Sequence, residues 1–501
     1  MTSAAALLAV VTLALPGGTA LALLLLPLPA RALDALHRIA SLATAAVALA
    51  LAVVALARPA SPYRDGAFLV DAASGVYLGV IAIVGLLSAL VSPAYLASGG
   101  KGFFRTGRAR AWYYLGFHAF WGLLLAIPIV GNLGVAWLLV EATTAASALL
   151  VAHSGKPSAL EAGWKYLVLT TVGLTVALLG IVILFVASPA SQGFASLDWG
   201  RLPGLAAGVP HETVLVAFVL ILVGLAAKIG WAPVHNWLPD AHSEAPPPVS
   251  ALLSAALLPT VVLVAWRVRG ALDPTIGGSA SRIVFLGFGL ASLAVAIPFL
   301  WRPLAWKRLL AYSSLEHMGV LALGIGFAHP IAIAGVLLHV AGHAFAKALG
   351  FYAATPLLRH QPGAARRLPT GLARTSVPTA GAVGISLAAL SGLPPSPLFF
   401  SELFILLGGV YAHQLWVVAI AGVLLVFCYL IVPSVGGMLY SEKIGPRLAI
   451  GWIMGTVVSM LGMYFSVLFD LPTGATIVCT FGAVLILMAL VRPILRRPVS
   501  A

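Results

Sequence analysis

Apolar runs of membrane-spanning length recur along nearly the whole chain, and short polar breaks separate them. An α-helix needs about 20 predominantly apolar residues to cross the hydrocarbon layer of a bilayer, so each run predicts one transmembrane helix. The predicted spans lie near residues 4–29, 39–57, 76–98, 111–130, 133–152, 165–187, 212–232, 247–267, 283–301, 308–328, 330–356, 377–410, 415–438, 447–467 and 473–492. The pattern therefore predicts an all-α polytopic membrane protein with about 14 to 15 transmembrane helices.

The composition excludes a soluble protein. Of the 501 residues, 61% are hydrophobic and 8% are charged, and the mean hydropathy is +1.06. No soluble domain or soluble enzyme has such a composition. The first apolar run has no Lys or Arg before it and no small-residue cleavage pattern at its end, so we interpret it as a first span and not as a removable signal peptide.

The basic residues predict how the chain sits in the bilayer. Of the 28 Lys and Arg residues, 20 fall on one side of the predicted bundle, six on the other and two inside spans. Because short cytoplasmic loops carry an excess of Lys and Arg, this distribution predicts an outside N-terminus and a cytoplasmic C-terminus. The net charge of +14 is thus explained by membrane topology, and no nucleic-acid partner is expected.

The number and spacing of the cysteines limit the metal and iron–sulfur sites that the chain can form. Only Cys428 and Cys479 occur, far apart and inside apolar runs. Neither a CxxC metal site nor the cysteine set of an iron–sulfur cluster can be built from them. We therefore expect no cofactor and no resident metal in this chain, and any redox reaction linked to it requires partner subunits.

Titratable residues interrupt the predicted spans. An unpaired charge in the hydrocarbon costs roughly 3 kcal/mol or more, so such residues normally face a partner or a cavity and mark a pathway. They are Glu141, Lys228, Glu316, His317, His339, His343, Lys347 and Glu402. The series predicts a route for an ion or a proton through the middle of the membrane.

Three of these residues share one helix face. His339, His343 and Lys347 are spaced i, i+4, i+8, which stacks them over about 12 Å of helix rise. A lone buried histidine such as His118 is more often structural, but three groups in register favour a proton relay. Zinc binding by HxxxH is a further alternative, which the sequence disfavours because no third ligand stands at a matching spacing and Lys347 would repel a cation.

Two predicted spans are broken by proline. One carries Lys228 before Pro233, and the other, "SGLPPSPLFFSELFIL", carries Glu402. Lys228 could alternatively snorkel to the interface. Two broken spans with one charge each, placed five spans apart, predict two inverted five-helix repeats. We predict three N-terminal helices in 1–110, a first repeat in 111–268, a second in 282–438 and C-terminal helices in 439–501.

Several segments together resemble a known family. They are "KIGWAPVHNWLPDAHSEAPPPVSALLSA", "LLVEATTAASALLV", "WKRLLAYSSLEHMG", "HVAGHAFAKALGFYAA" and "GLPPSPLFFSELFIL". These segments resemble the antiporter-like subunits of respiratory complex I, Mrp antiporters and group 4 membrane-bound hydrogenases, over about residues 110 to 410. The stretch "LEAGWKYLVLTTVGLTVALLG" is most similar to component F of hydrogenase-4.

The resemblance implies a role for each matching residue. Glu141 would be the acid that pairs with the proton-carrying Lys228, and Glu402 would end a central axis. The axis would contain His317, His339 and His343, with Lys347 in register. Lys307 matches a basic position of the family but equally fits a cytoplasmic anchor, and Glu316, His235 and Asp240 are further candidates. A lysine that many relatives carry on the eighth span is missing near Pro259.

The resemblance also implies surroundings and function. It implies a bacterial or archaeal cytoplasmic membrane and a proton-translocating subunit that works with other membrane subunits and a peripheral redox arm. A Mrp-type cation/proton antiporter module and a membrane subunit of an inorganic-carbon uptake complex are the alternatives. Physically, an adjacent carboxylate favours a charged lysine and burial favours a neutral one, so a change at Glu141 would load or unload Lys228.

Overall fold

The computed structural model describes residues 2–26, 28–98, 107–188, 190–302, 304–360 and 376–429, with isolated positions at 365, 372 and between 457 and 487. Its helices are α1 Thr2–Leu25, α2 Ala30–Leu56, α3 Ala72–Ser98, α4 Gly107–Ala126, α5 Leu133–Ala152, α6 Pro157–Val186, α7 Leu202–Ala207, α8 His211–Ile229, α9 Leu238–Glu244, α10 Pro247–Ala251, α11 Leu258–Ile276, α12 Gly278–Leu300, α13 Trp306–Phe327, α14 Pro330–Tyr352, α15 Ala354–His360, α16 Val377–Leu390, α17 Pro397–Tyr411 and α18 Leu415–Tyr429. A two-residue hairpin, β1 Tyr63–Arg64 and β2 Leu69–Val70, lies between α2 and α3.

The described part of the chain is a bundle of membrane-length helices. Eleven helical stretches are long and apolar enough to cross a bilayer, and α16, α17 and α18 are shorter apolar helices. In the described residues, each of the first thirteen predicted spans overlaps one helix or a broken pair of helices. The predicted all-α polytopic fold is confirmed. The spans predicted near 447–467 and 473–492 lie outside the continuously described residues, and the repeat boundaries stay predictions.

The first broken helix ends earlier than the sequence suggests. α8 stops at Ile229, four residues before Pro233, because Gly230 adopts a left-handed conformation with φ 79°. The indole of Trp237 donates to the carbonyl of Ala227 at 2.7 Å, and the indole of Trp231 donates to the carbonyl of Met318 at 2.7 Å. Neighbouring side chains therefore satisfy and anchor the unwound backbone inside the bundle.

The second broken helix has the same plan. α16 ends at Leu390, Gly392 has φ 60°, and α17 starts at Pro397 after the proline run. The side chain of Ser396 accepts from the backbone N–H of Phe399 and caps α17. Both breaks thus combine a left-handed glycine with prolines, and both precede a helix with functional candidates.

The most enclosed elements lie at the centre of the bundle. Every residue of α13 from Leu309 to Phe327 is buried, and α10 and α11 are buried along nearly their whole length. Between α10 and α11 the helix widens into a π-helical segment, Leu252–Leu257. Such widened turns free backbone groups and often occur at functional positions. The buried titratable residues of these two helices are consequently screened from lipid by surrounding helices: Glu316 and His317 of α13, and His339, His343 and Lys347 of α14.

Candidate functional site

Lys228 is fully buried in a pocket of hydroxyl groups. Its Nζ donates to Thr144 Oγ1 at 2.6 Å and to the hydroxyl of Tyr166 at 2.6 Å, and it lies 4.6 Å from the ring centroid of Tyr166. The Tyr166 hydroxyl also contacts Ser147 Oγ at 2.8 Å. Lys228 therefore does not snorkel to the membrane surface.

Glu141 lies on α5 one turn before Thr144, but it does not contact Lys228. Its Oε1 accepts from Thr171 Oγ1 at 2.7 Å, and its Oε2 is buried without a partner. Among the described ion pairs within 4.0 Å, none joins Glu141 to Lys228. The pairing that the resemblance implies is thus indirect here, because hydroxyl groups occupy the hydrogen-bonding positions around the amine.

Two histidines from neighbouring helices form a hydrogen bond at the centre. His317 of α13 and His339 of α14 are both fully buried, and His317 Nδ1 lies 3.1 Å from His339 Nε2. His339 Nδ1 lies 2.9 Å from Ser401 Oγ on α17, and that hydroxyl donates to the carbonyl of Leu398 at 2.8 Å.

The direction of these bonds follows from the hydrogens available. Ser401 has one hydroxyl hydrogen, which goes to the Leu398 carbonyl, so its oxygen accepts from His339 Nδ1–H. Neutral His339 then offers a lone pair at Nε2, and His317 donates to it from Nδ1. The remaining nitrogen, His317 Nε2, is buried without a partner. We call the hydrogen-bonded residues His317, His339 and Ser401 the histidine line. His317 Nε2 is the atom of this line that can accept a proton.

The other two residues of the predicted relay on α14, His343 and Lys347, follow His339 one and two turns further along the helix. The ring of His343 is 5.1 Å from that of His317 and 6.4 Å from that of His339, and neither of its nitrogens has a hydrogen-bond partner. Lys347 is fully buried and its Nζ donates to the carbonyl of Leu310 at 2.6 Å. The three residues therefore share one face, as their spacing predicts.

Glu402 lies beside the histidine pair, with a carboxyl oxygen within 4.8 Å of a ring nitrogen of His317 and of His339. It is 7% exposed, and its Oε1 accepts from the hydroxyl of Tyr429 at 2.6 Å. Tyr429 also lines a cavity of about 20 Å³ together with Glu316, Ser313 and Ser391. A cavity of this size has room for one water molecule. Glu316 and Glu402 are thus two buried carboxyl groups on either side of one phenol.

The region that lacks the expected charge near Pro259 carries hydroxyl groups instead. Ser254, inside the π-helical segment, lies 2.8 Å from Ser314 Oγ, and Ser314 is one turn before His317 on α13. Neither serine was predicted from the sequence, because hydroxyl residues are common in membrane helices and carry no charge.

His242 on α9 is a second residue that the sequence reasoning missed. It is fully buried, its Nδ1 bonds to the carbonyl of Leu238 at 2.9 Å, and its Nε2 has no partner. Its ring lies 6.0 Å from that of Trp237, which contacts Tyr166, and 6.1 Å from that of Phe351. It therefore stands between the Lys228 pocket and α14. Its place after a broken helix, in "PDAHSE", was the available signal.

The remaining candidates lie away from the central line. Lys307 donates to the backbone carbonyls of Ser243 and Ala245, and Asp240 pairs with Arg308 at 2.6 Å. Asp240 also lines a cavity of about 200 Å³ with Glu161 and Glu244. His235 packs against Phe299. Asp240 thus lines a polar cavity near the ends of α6, α9 and α13, and Lys307 is held at the carbonyl of Ser243, another residue of that cavity. The structure does not bring Asp240 or Lys307 to the histidines.

A membrane bundle with a buried lysine, a histidine line and a buried glutamate at two broken helices has the features of an ion-conducting transport protein. The chain belongs to the NADH:quinone oxidoreductase/Mrp antiporter transmembrane family, which matches residues 131–428. A second family, described as ABC 3 transport family, matches the shorter range 382–492, which partly overlaps the first.

Curated relatives agree with this family. The chain is 30% identical over 350 residues to the hydrogenase-4 component F homolog of Methylacidiphilum infernorum, covering 69% of this chain and 73% of the relative. It is 30% identical over 385 residues to NADH-quinone oxidoreductase subunit N of Desulforudis audaxviator, covering 74% of this chain and 73% of the relative. The family inferred from the sequence motifs is confirmed, and the chain is an antiporter-like membrane subunit.

Solved structures share its fold. The archaeal membrane-bound sulfane sulfur reductase aligns with a TM-score of 0.74 at 19% identity, over 95% of this chain and 99% of that chain. Complex I of Thermus thermophilus aligns with a TM-score of 0.72 at 22% identity, over 95% of this chain and 99% of that chain. The Mrp complex of Dietzia sp. DQ12-45-1b aligns with a TM-score of 0.72 at 22% identity, over 86% of this chain and 79% of that chain. All three are multisubunit membrane assemblies, and the fold of this chain is that of their membrane subunits.

Proposed function

We propose that this chain moves protons through the membrane as one subunit of a larger redox complex. The observation that supports this most directly is the hydrogen-bonded line from His317 through His339 to Ser401, buried at the centre of the bundle and ending in an unpartnered acceptor nitrogen. Histidine can accept a proton at one ring nitrogen and release another from the second, so such a line suits proton relay.

The proposed route has three parts. Lys228 carries the proton in the first half, where the hydroxyl of Tyr166 is its nearest exchange partner. His242, His343 and Lys347 lie between that pocket and the histidine pair. Glu402 receives or releases the proton in the second half, with Tyr429 and the small cavity beside it. Glu141 acts on Lys228 through its charge across α5.

The proposed setting follows from the relatives. A hydrogenase-4 component F homolog and a quinone oxidoreductase subunit N are both named as parts of redox enzymes. With two cysteines in distant apolar runs, the chain depends on a peripheral redox arm for its driving reaction. We place it in a bacterial or archaeal cytoplasmic membrane with the C-terminus in the cytoplasm. Purification of the native assembly and identification of its subunits tests this setting.

Exchange of a cation for protons is the second candidate function. Glu316 lines the small cavity beside Tyr429, Glu402 accepts a hydrogen bond from Tyr429, and hard cations prefer oxygen ligands such as carboxylates. Proton movement that requires Na⁺ in the medium would favour this function. Proton movement at the same rate when choline replaces Na⁺ would favour the redox-driven pump.

The first test removes the charges of the first half. We expect Lys228→Met and Glu141→Gln to abolish coupled proton movement by the assembled complex in proteoliposomes while assembly stays intact, because the carrier or its controlling charge is lost. Lys156→Met, which removes an exposed lysine before α6, is the matched control. Pumping at the wild-type rate in either test variant would refute the assignment.

The second test removes one member of the relay. We expect His343→Ala to slow proton transfer less severely than Lys228→Met, because the new space can admit water between Lys347 and His317. Transfer rates in proteoliposomes, with assembly checked by size-exclusion chromatography, give the comparison. An unchanged rate in His343→Ala would remove this residue from the route.

A further inference from the structure

We propose that His317, His339 and Glu402 form a binding site for Zn²⁺ or a similar transition-metal dication, and that the bound ion blocks the histidine line. The metal site itself rests on geometry and ligand chemistry alone. Only its blocking effect rests on the proposed function.

The three side chains come from three different helices and converge at one place. One ligand atom from each lies within 4.8 Å of the others, and all three residues are buried. His317 Nδ1 and His339 Nε2 are 3.1 Å apart. Two nitrogens on a tetrahedral zinc ion with bonds of about 2.0–2.1 Å lie about 3.3 Å apart. A small movement of Glu402 completes a His₂Glu set.

The ligands are already oriented for a metal. Ser401 accepts from His339 Nδ1–H, so the lone pair of His339 Nε2 points toward His317. His317 can carry its proton on the unpartnered Nε2, which frees the lone pair of Nδ1 for the metal. Tyr429 holds Glu402 through its Oε1. Outer hydrogen bonds of this kind fix the tautomer and orientation of metal ligands.

The charges around the site are set by two buried carboxyl groups and one lysine. When metal binding displaces its proton, Glu402 supplies one negative charge to the ion, and Glu316 lines a cavity with Tyr429 nearby. The positive charge that Lys347 carries when protonated is offset by the carboxylate of Glu316. The HxxxH spacing of His339 and His343 is not the basis of this site. The zinc alternative lacked a third ligand in the sequence because Glu402 is distant along the chain and reaches the histidines only through the fold.

The chain contains its own control. His37 and His118 are another buried histidine pair, with Nδ1 and Nε2 3.0 Å apart and His37 Nε2 on the carbonyl of Ala89. Among the residues that the structure describes, this pair has no third carboxylate, cysteine or histidine ligand within the same range. The two pairs therefore differ chiefly in the presence of Glu402.

The test measures metal directly in the purified native complex. We expect tight binding of Zn²⁺, with two imidazole nitrogens and one carboxylate in the X-ray absorption spectrum. His339→Ala and Glu402→Gln should weaken binding by more than the roughly 10- to 100-fold that loss of an outer partner costs. His317→Gln is the second ligand variant if His339→Ala fails to assemble. His37→Ala should bind like the wild type.

Three outcomes would overturn the site: equal binding in the wild type and the ligand variants, loss of binding in His37→Ala, or a spectrum without imidazole ligands. Lys228→Met separates the site from the proposed function. We expect it to bind Zn²⁺ normally although it pumps no protons. If Zn²⁺ binds at this site without slowing the wild-type pump, the blocking effect is refuted but the assignment of the metal site stands.

Discussion

The side chain of Lys228 is the clearest case of a charge whose surroundings set its behaviour. It is buried against Thr144 and Tyr166, and the carboxylate of Glu141 lies beyond direct contact. A hydroxyl can pass a proton on, whereas a fixed carboxylate would hold the lysine charged. The pocket therefore favours exchange over a permanent ion pair.

This arrangement predicts the effect of Tyr166→Phe. The change removes one of the two acceptors of Lys228, and a hydrogen bond to a charged group contributes about 1.5–3 kcal/mol. We expect proton transfer to slow by roughly 10- to 100-fold, since about 1.4 kcal/mol is tenfold. The initial pumping rate in proteoliposomes measures it.

Tyr113→Phe is the matched control for that experiment. Tyr113 is equally buried and bonds to Ser92 Oγ at 3.0 Å, but it lies away from Lys228. We expect a near-normal rate. Equal slowing in both variants would mean that the loss at Tyr166 is only structural.

Charged and histidine positions were predictable from the sequence, and their hydroxyl partners were not. Lys228, His339 and Glu402 stand out because a titratable group in an apolar run is costly. Ser401 and Tyr166 resemble many other hydroxyl residues in membrane helices. Only the fold shows that they bond to the titratable groups, because they come from distant parts of the chain.

Among the elements, the two broken helices show how a glycine places a functional group. The prolines predicted both breaks, but left-handed Gly230 and Gly392 determine where the helices end. A Cβ at Gly392 would lie 2.8 Å from Glu402 Oε2 and 3.3 Å from the Tyr429 ring. The glycine therefore supports both the turn and the position of the carboxylate.

Gly392→Ala should consequently affect stability and transport together. A non-glycine residue in this conformation costs about 1–2 kcal/mol, and the added methyl group displaces Glu402. We expect a lower thermal unfolding midpoint of the purified protein and slower pumping. Gly384→Ala, inside α16 with nothing within 4 Å of the new Cβ, should be neutral or stabilising by up to about 1 kcal/mol. Equal stability of the two variants would contradict this account.

For the whole molecule, the predicted topology can be tested at two exposed loop positions. Ser61 lies in the loop after α2, and Lys156 lies between α5 and α6. In a background without Cys428 and Cys479, we expect an impermeant maleimide to label Ser61→Cys in intact cells and Lys156→Cys only after permeabilisation. The reverse pattern would overturn the orientation inferred from the basic residues.

The sequence predicted the order and type of the elements better than their meeting points. Hydropathy identified thirteen spans that the structure describes, because each apolar run has to be a helix in the bilayer. It gave no basis for joining His242 to α14 or Glu402 to His317. Those contacts depend on how α9, α14 and α17 pack, which neither periodicity nor hydropathy encodes.

The fixed direction of the bonds from His317 to Ser401 limits how often the line can work. When one proton enters at His317 Nε2 and the Nδ1 proton of His317 passes to His339 Nε2, the hydrogen bond between the two rings reverses and His339 becomes an imidazolium. A second proton cannot follow until His339 has released a proton and the two imidazoles have returned to their starting arrangement. Under the proposed function, the line therefore transfers one proton before it has to reset, and the rate of this reset places an upper bound on turnover.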